Sequence, residues 1–138
     1  MRLTRKRKTD LLKAIPLFSE CSQRELDAIA AVADEVMFPV GRTLMRQGDT
    51  GAELVVIEQG SVDVAIDGKQ VTTQSAGDFV GELALVTHRP RTATVTTSTE
   101  VRALVLTARD FERLLRDVPS IAVKVLKAVG ERLPPEQQ

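Results

Sequence analysis

The chain has 138 residues, 43% of them apolar, and its 19 basic and 19 acidic side chains cancel to zero net charge. That length holds one domain of about 100–150 residues, and the balanced charge excludes a strongly basic nucleic-acid surface. With no Trp, no Tyr and four Phe, the core must be aliphatic, and the lone Cys21 excludes an internal disulfide.

One histidine, His88, and one cysteine are too few for a zinc site, so no metal is expected. No apolar run approaches the ~18 residues of a membrane span. Asp10 and Lys13 interrupt the stretch behind the basic start before it becomes an export signal. The expected location is cytoplasmic.

Charge is unevenly spread. Residues 1–13 hold six bases and one acid, leaving 13 bases against 18 acids in the remainder. Residues 1–8 are read as a basic arm ahead of a domain at 9–138. Such an arm suits an anionic membrane or an acidic partner. No direct DNA binding is expected, because the remainder is net acidic and no room is left for a helix-turn-helix after the last helix.

Helix is predicted over about 9–33, divided at Pro16. Ser22-Gln23-Arg24-Glu25 is a capping-box signal, and Leu26, Ile29, Ala30 and Ala33 follow at helical spacing. From about 34 to 106 the texture changes to short β-branched runs punctuated by glycine. Leu54–Ile57 reads as a buried strand, and Val62, Val64 and Ile66 alternate as a strand with two unlike faces. Asp67-Gly68 signals a tight hairpin leading into 69–74. Runs at 92–97 and 101–106 complete six to eight strands, enough for a sandwich or closed roll. Phe111, Leu114, Leu115 and Val118 form one helix stripe, Pro119 ends that helix, and Ile121, Val125, Val129 and Leu133 mark a last helix.

The chemistry concentrates in Gly77-Asp78-Phe79-Val80-Gly81-Glu82-Leu83-Ala84-Leu85 and Pro90-Arg91-Thr92-Ala93-Thr94-Val95. Glycine permits close backbone approach to a ligand. A helical turn beginning at Glu82 would present N–H groups and a positive dipole end to an anion. Arg91 adds a charged planar donor fork, and Thr92 a hydroxyl. Glu82 would repel a phosphate but suits a sugar hydroxyl, and it disfavours a terminal phosphate of about −1.5 to −2 charges. Together these residues suit a small ligand with a monoanionic phosphate and a hydroxylated sugar.

Both segments resemble the phosphate-binding cassette of the cyclic nucleotide-binding domain family, found in kinase regulatory subunits, cyclic-nucleotide-gated channels and the catabolite activator protein. The resemblance extends to Pro39-Val40-Gly41, Gly48-Asp49-Thr50-Gly51, Gly60-Ser61-Val62 and the two closing helices. It implies an α+β fold: an antiparallel β-roll of jelly-roll type with N-terminal helices and two C-terminal helices. It further implies cyclic AMP or cyclic GMP as the ligand. Glu82 would then hold the ribose 2′-hydroxyl, while the Leu83 and Ala84 N–H groups and Arg91 hold the cyclic phosphate. Thr92 would contact the phosphate or the amino group of a syn guanine, and Gly81 would give close approach. Val64 and Val71 are base-wall candidates, with Val129, Arg132 and Leu133 as lid contacts. The sequence departs from the family in having no aromatic residue in Leu54–Ile57.

A sensor that moves its C-terminal helix against an effector is therefore the expected function, with no catalytic residue and no cofactor. A metal-dependent enzyme on a similar roll needs several converging His and carboxylate ligands, and no phosphate-loop lysine or Ser/His/Asp set occurs. The alternative is a domain of this fold that has lost its ligand and serves in protein contacts.

Overall fold

The glycine-punctuated middle of the chain folds as one long hairpin rolled upon itself. A computed structural model describes residues 3–131. Its strands are β1 Asp34–Phe38, β2 Thr43–Met45, β3 Glu53–Gln59, β4 Ser61–Ile66, β5 Lys69–Ser75, β6 Phe79–Val80, β7 Thr94–Thr97 and β8 Val101–Thr107. β1 pairs with β8, β2 with β7, β3 with β6 and β4 with β5, all antiparallel. The nested pairs fold into two four-stranded sheets, ordered β1-β8-β3-β6 and β2-β7-β4-β5. This is the expected roll.

The hairpin tip is Asp67-Gly68, whose φ values of 53° and 78° are those of a type I′ turn. The Gln47 side chain holds it, donating to Asp67 Oδ1 at 2.9 Å and accepting from the Asp67 N–H at 2.8 Å. Within the roll, Met45, Val55, Ile57, Val62, Val95, Val101, Ala103 and Val105 form an aliphatic core. Each large member contributes about 1.5–3 kcal/mol by leaving water. Leu54, Val56, Leu104 and Leu106 alternate onto the opposite face and are also buried. Burial on both faces explains why Leu54–Ile57 is a continuous apolar run.

The chain divides into two compact units, the roll at Ala33–Ala108 and a helical unit from the residues on either side. The helices are α1 Arg5–Lys13, α2 Gln23–Val32, α3 Ala108–Asp117 and α4 Pro119–Glu131, with a 3₁₀ turn at Pro16–Phe18. α1 begins four residues before the expected start, so the basic residues Arg5–Lys8 are helical. The Thr4 hydroxyl caps it, accepting from the Arg7 N–H at 3.1 Å, and Lys6 pairs with Asp10 at 3.1 Å. Lys and Arg are good helix formers once a cap is present. No described helix is long and apolar enough to cross a membrane.

The capping box at Ser22 forms as read. The Ser22 N–H donates to Glu25 Oε1 at 2.8 Å, and the Glu25 N–H donates to Ser22 Oγ at 3.2 Å. Glu25 then does more than cap. Buried at 6% exposure, it accepts from Ser120 Oγ at 2.6 Å and from Lys124 Nζ at 2.9 Å, tying α2 to α4. In the same unit, the Phe18 and Phe111 rings pack with centroids 5.8 Å apart.

The Ser120 hydroxyl first, then the Ser22 N–H, and with them Lys124, hold the Glu25 carboxyl down to about 2 against the opposing effect of burial. A depressed carboxyl stabilises the fold above its unfolded value near 4.5 and loses that contribution as pH falls towards 2. Glu25→Gln should therefore cost about 1–3 kcal/mol at pH 6 in urea unfolding. The gap between wild type and variant should shrink steadily from pH 5 to pH 3. A gap constant across that range would mean that the charge on Glu25 contributes nothing.

Candidate functional site

After β5 the chain must reverse and enter the other sheet. Asp78 makes the corner, accepting on Oδ2 from the Ser75 N–H at 2.9 Å. The Gly77 N–H donates to the Ile57 carbonyl at 2.8 Å, and the Ile57 N–H donates to the Asp78 carbonyl at 2.8 Å. These bonds seat β6 against β3, with Val80 opposite Val55. Gly81 follows at φ 85°, and its left-handed conformation starts the 3₁₀ turn Glu82–Leu85.

The second segment is fixed from its other side. The Arg91 N–H donates to the Asp49 carbonyl at 2.7 Å, and the Gly48 N–H donates to the Arg91 carbonyl at 2.9 Å. The Gln47 N–H reaches Thr94 Oγ1 at 3.0 Å. With its backbone so held, the Arg91 side chain enters a slot between two glycines. A Cβ on Gly51 would lie 2.6 Å from Arg91 Nε, and one on Gly81 would lie 2.6 Å from Arg91 Nη1 and strike the Glu53 carbonyl. Arg91 Nη2 donates to that same Glu53 carbonyl at 2.8 Å.

Burial pushes the Arg91 pKa down, and the Glu53 carboxylate opposes this through space. Arginine remains charged regardless. Among the described residues its hydrogen-bond partner is a neutral carbonyl, and no carboxylate forms an ion pair with it.

The guanidinium borders a half-open cavity of about 210 Å³, lined by Met45, Val64, Gln74, Val80, Gly81, Arg91, Thr92, Ala93 and Val95. Four expected site residues are thus brought together: Gly81, Arg91, Thr92 and Val64. Glu82 and Ala84 lie buried on the 3₁₀ turn, and Leu83 is exposed. The Ala84 N–H already donates to the Gly81 carbonyl at 3.0 Å, so it reaches an anion only by sharing that bond or opening the turn. His88 is exposed, and no group of metal-binding side chains forms among the described residues.

Val71 lies elsewhere. An unbroken register from Ile66 and Lys69 would set it opposite Val64, but a bulge pairs Val64 with Thr72. Val71 becomes the extra residue, 54% exposed and absent from the cavity wall. Val129 belongs to the helical unit and is half-buried in α4, while Arg132 and Leu133 fall outside the described residues. Sequence reasoning missed Gly51 and Gln74. Gly51 sits in a motif noted only as part of the family resemblance, with no role given to it. Gln74 shares the parity of Thr72 along β5, a signal visible only once the bulge is known.

Comparison with known proteins agrees with this fold. Residues 35–118 match the family model described as the cyclic nucleotide-binding domain. A cyclic nucleotide-gated potassium channel of Rhizobium etli is 36% identical over 91% of this chain and 35% of its own length. A cAMP-dependent protein kinase regulatory subunit of Emericella nidulans is 35% identical over 80% of this chain and 27% of its own. The chain thus spans about a third or less of these relatives. The N-terminal domain of a transcriptional regulator from Streptomyces coelicolor A3(2) superposes with a TM-score of 0.81 at 34% identity, covering 89% of this chain and 91% of that one. The chain belongs to the cyclic nucleotide-binding domain family.

The two glycines of the slot should respond differently to alanine. Gly81→Ala meets both a positive φ and a backbone carbonyl, and should lower stability by about 2–3 kcal/mol. Gly51→Ala meets only a flexible side chain at an ordinary φ, and should cost under about 1 kcal/mol while displacing Arg91. Urea unfolding measures both, and equal losses would contradict the slot.

Proposed function

We propose that this member of the cyclic nucleotide-binding domain family is a regulatory module that binds cyclic AMP or cyclic GMP without catalysis. The observation that carries the reading is the Arg91 guanidinium at the cavity wall, held by glycines and paired to no carboxylate among the described residues. A partly buried charge bonded to no carboxylate favours an anionic ligand. Thr92 stands beside it, and Met45, Val64, Val80 and Val95 offer apolar surface for a base.

In this reading Arg91 and Thr92 take the phosphate together with the amides of Leu83 and Ala84. Glu82 takes the ribose hydroxyl, which favours a cyclic diester of single charge over a terminal phosphate. A cytoplasmic location accompanies it, as does an effector, on the same or another chain, that reads the C-terminal helix. The ligand shifts a population between two arrangements of that helix.

Calorimetry should show saturable binding of one of the two nucleotides, one per chain. Arg91→Ala should cost about 2–5 kcal/mol of binding, as for one half of a buried charged contact. Glu82→Ala should cost about 1–3 kcal/mol, as for bonds to a neutral hydroxyl. No heat and no thermal shift at millimolar nucleotide would sink the reading and favour a fold that has lost its ligand. A larger loss from Glu82→Ala than from Arg91→Ala would reverse the assignment of partners.

For the helix, Gly130 near the end of α4 lowers helix propensity by about 1 kcal/mol relative to Ala. A marginal helix end is suited to ligand-driven ordering. Amide exchange from Val125 onward should slow when nucleotide saturates the site. Equal protection in both states would leave a nucleotide binder without helix signalling.

A further inference from the structure

Gln74 is the one residue of β5 that is not exposed. It lies directly opposite Val62, which is fully buried in the roll's core. Antiparallel partners share a face, so Gln74 points inward with Val62 and Val64, at a position where the neighbouring strand places valine. Its side chain lines the same cavity as Arg91. Its Oε1 is buried and has no hydrogen-bond partner.

An acceptor buried without a donor is costly, and a leucine of similar size would avoid the cost. Polar groups left unsatisfied in this way are expected where a ligand completes them. Arg91 offers only donors, for an anion, whereas Gln74 offers an acceptor, for a group that carries hydrogen.

We propose that Gln74 is a specificity residue of the cavity, its carboxamide oxygen accepting a hydrogen bond from the bound nucleotide. The inference rests on the nucleotide-binding reading above and extends it to a residue not so far given a role. A cyclic nucleotide at neutral pH has no proton on its phosphate, and the single proton of the ribose 2′-hydroxyl goes to Glu82 in that reading, so the donor is the exocyclic amino group of the base. A ligand without that group is refused because it leaves Oε1 as it stands, buried and unbonded.

The test is a cycle between protein and ligand. Wild type and Gln74→Leu are each titrated with cyclic AMP and cyclic GMP. The same is done with their 2′-deoxy counterparts and with the cyclic monophosphates of purine riboside and inosine, which lack the exocyclic amino groups. Wild type should lose about tenfold in affinity for the analogue that lacks the donor, and Gln74→Leu should lose less than twofold for that same analogue. The 2′-deoxy nucleotides, which lack the hydroxyl given to Glu82, should lose affinity equally in both proteins. Without ligand, Gln74→Leu should melt at a higher temperature than wild type, and the stabilisation it gains from nucleotide should be smaller. If wild type binds but both proteins discriminate among the analogues equally, the role given to Gln74 is overturned while nucleotide binding stands. If wild type binds none of the nucleotides, both fall together.

Discussion

The site depends on one constraint: a guanidinium must lie close against two backbone positions that carry no side chains. Gly51, Gly81 and Arg91 are far apart in sequence, and each reaches the slot by a different route. Gly51 lies in the loop before β3, Gly81 follows β6, and Arg91 precedes β7. The pairing of β3 with β6 brings the first two together, and the bonds from Gly48 and Asp49 to the Arg91 backbone deliver the third. A Cβ at either glycine would push the charge away from the Glu53 carbonyl that orients it. The roll thus serves as a device for holding one cation at a cavity wall.

Around that cation the molecule accepts local costs that a purely stable roll would avoid. Gly81 takes a left-handed backbone, Arg91 surrenders part of its hydration, and Gln74 buries an acceptor without a donor. Each departs from what packing alone would choose, and all three line one cavity. The aliphatic core of Val55, Ile57, Val62, Val95 and Ala103 offsets these costs by apolar burial. Unfavourable local choices gathered at one place in an otherwise consistent structure are what a binding site requires.

The helical unit answers to a different interaction. Glu25 closes a capping box with Ser22 and, from the same carboxylate, receives Ser120 and Lys124 of α4. The residue that starts one helix thereby fixes another almost a hundred positions away. A carboxylate so well supplied with donors stays ionised in its buried place, and α4 is anchored near its beginning. Its far end, with Gly130, carries the weaker helix propensity, and that asymmetry is why the helix signalling proposed here begins in its second half.

Local signals were legible in the sequence because they involve residues close together along the chain. Ser22 and Glu25 declared a cap, Asp67-Gly68 a tight hairpin and Pro119 a helix boundary, and each formed as read. The alternating and continuous apolar runs gave the strands, and the glycines between them gave a roll. The two cassette segments pointed to Gly81, Arg91 and Thr92, which meet at one cavity. Register was not legible. A single extra residue in β5 turns Val71 to solvent and Gln74 inward, and nothing in the order of residues announces a bulge whose position depends on two strands at once. Nor does local pattern show that Gly51 faces Arg91, or that the Ala84 amide is engaged within its own turn. The sequence alone determined which elements form and which residue types could meet an anion. The tertiary structure decided which of them share a wall, because side-chain facing in a sheet alternates with every residue and pairing alone sets the count.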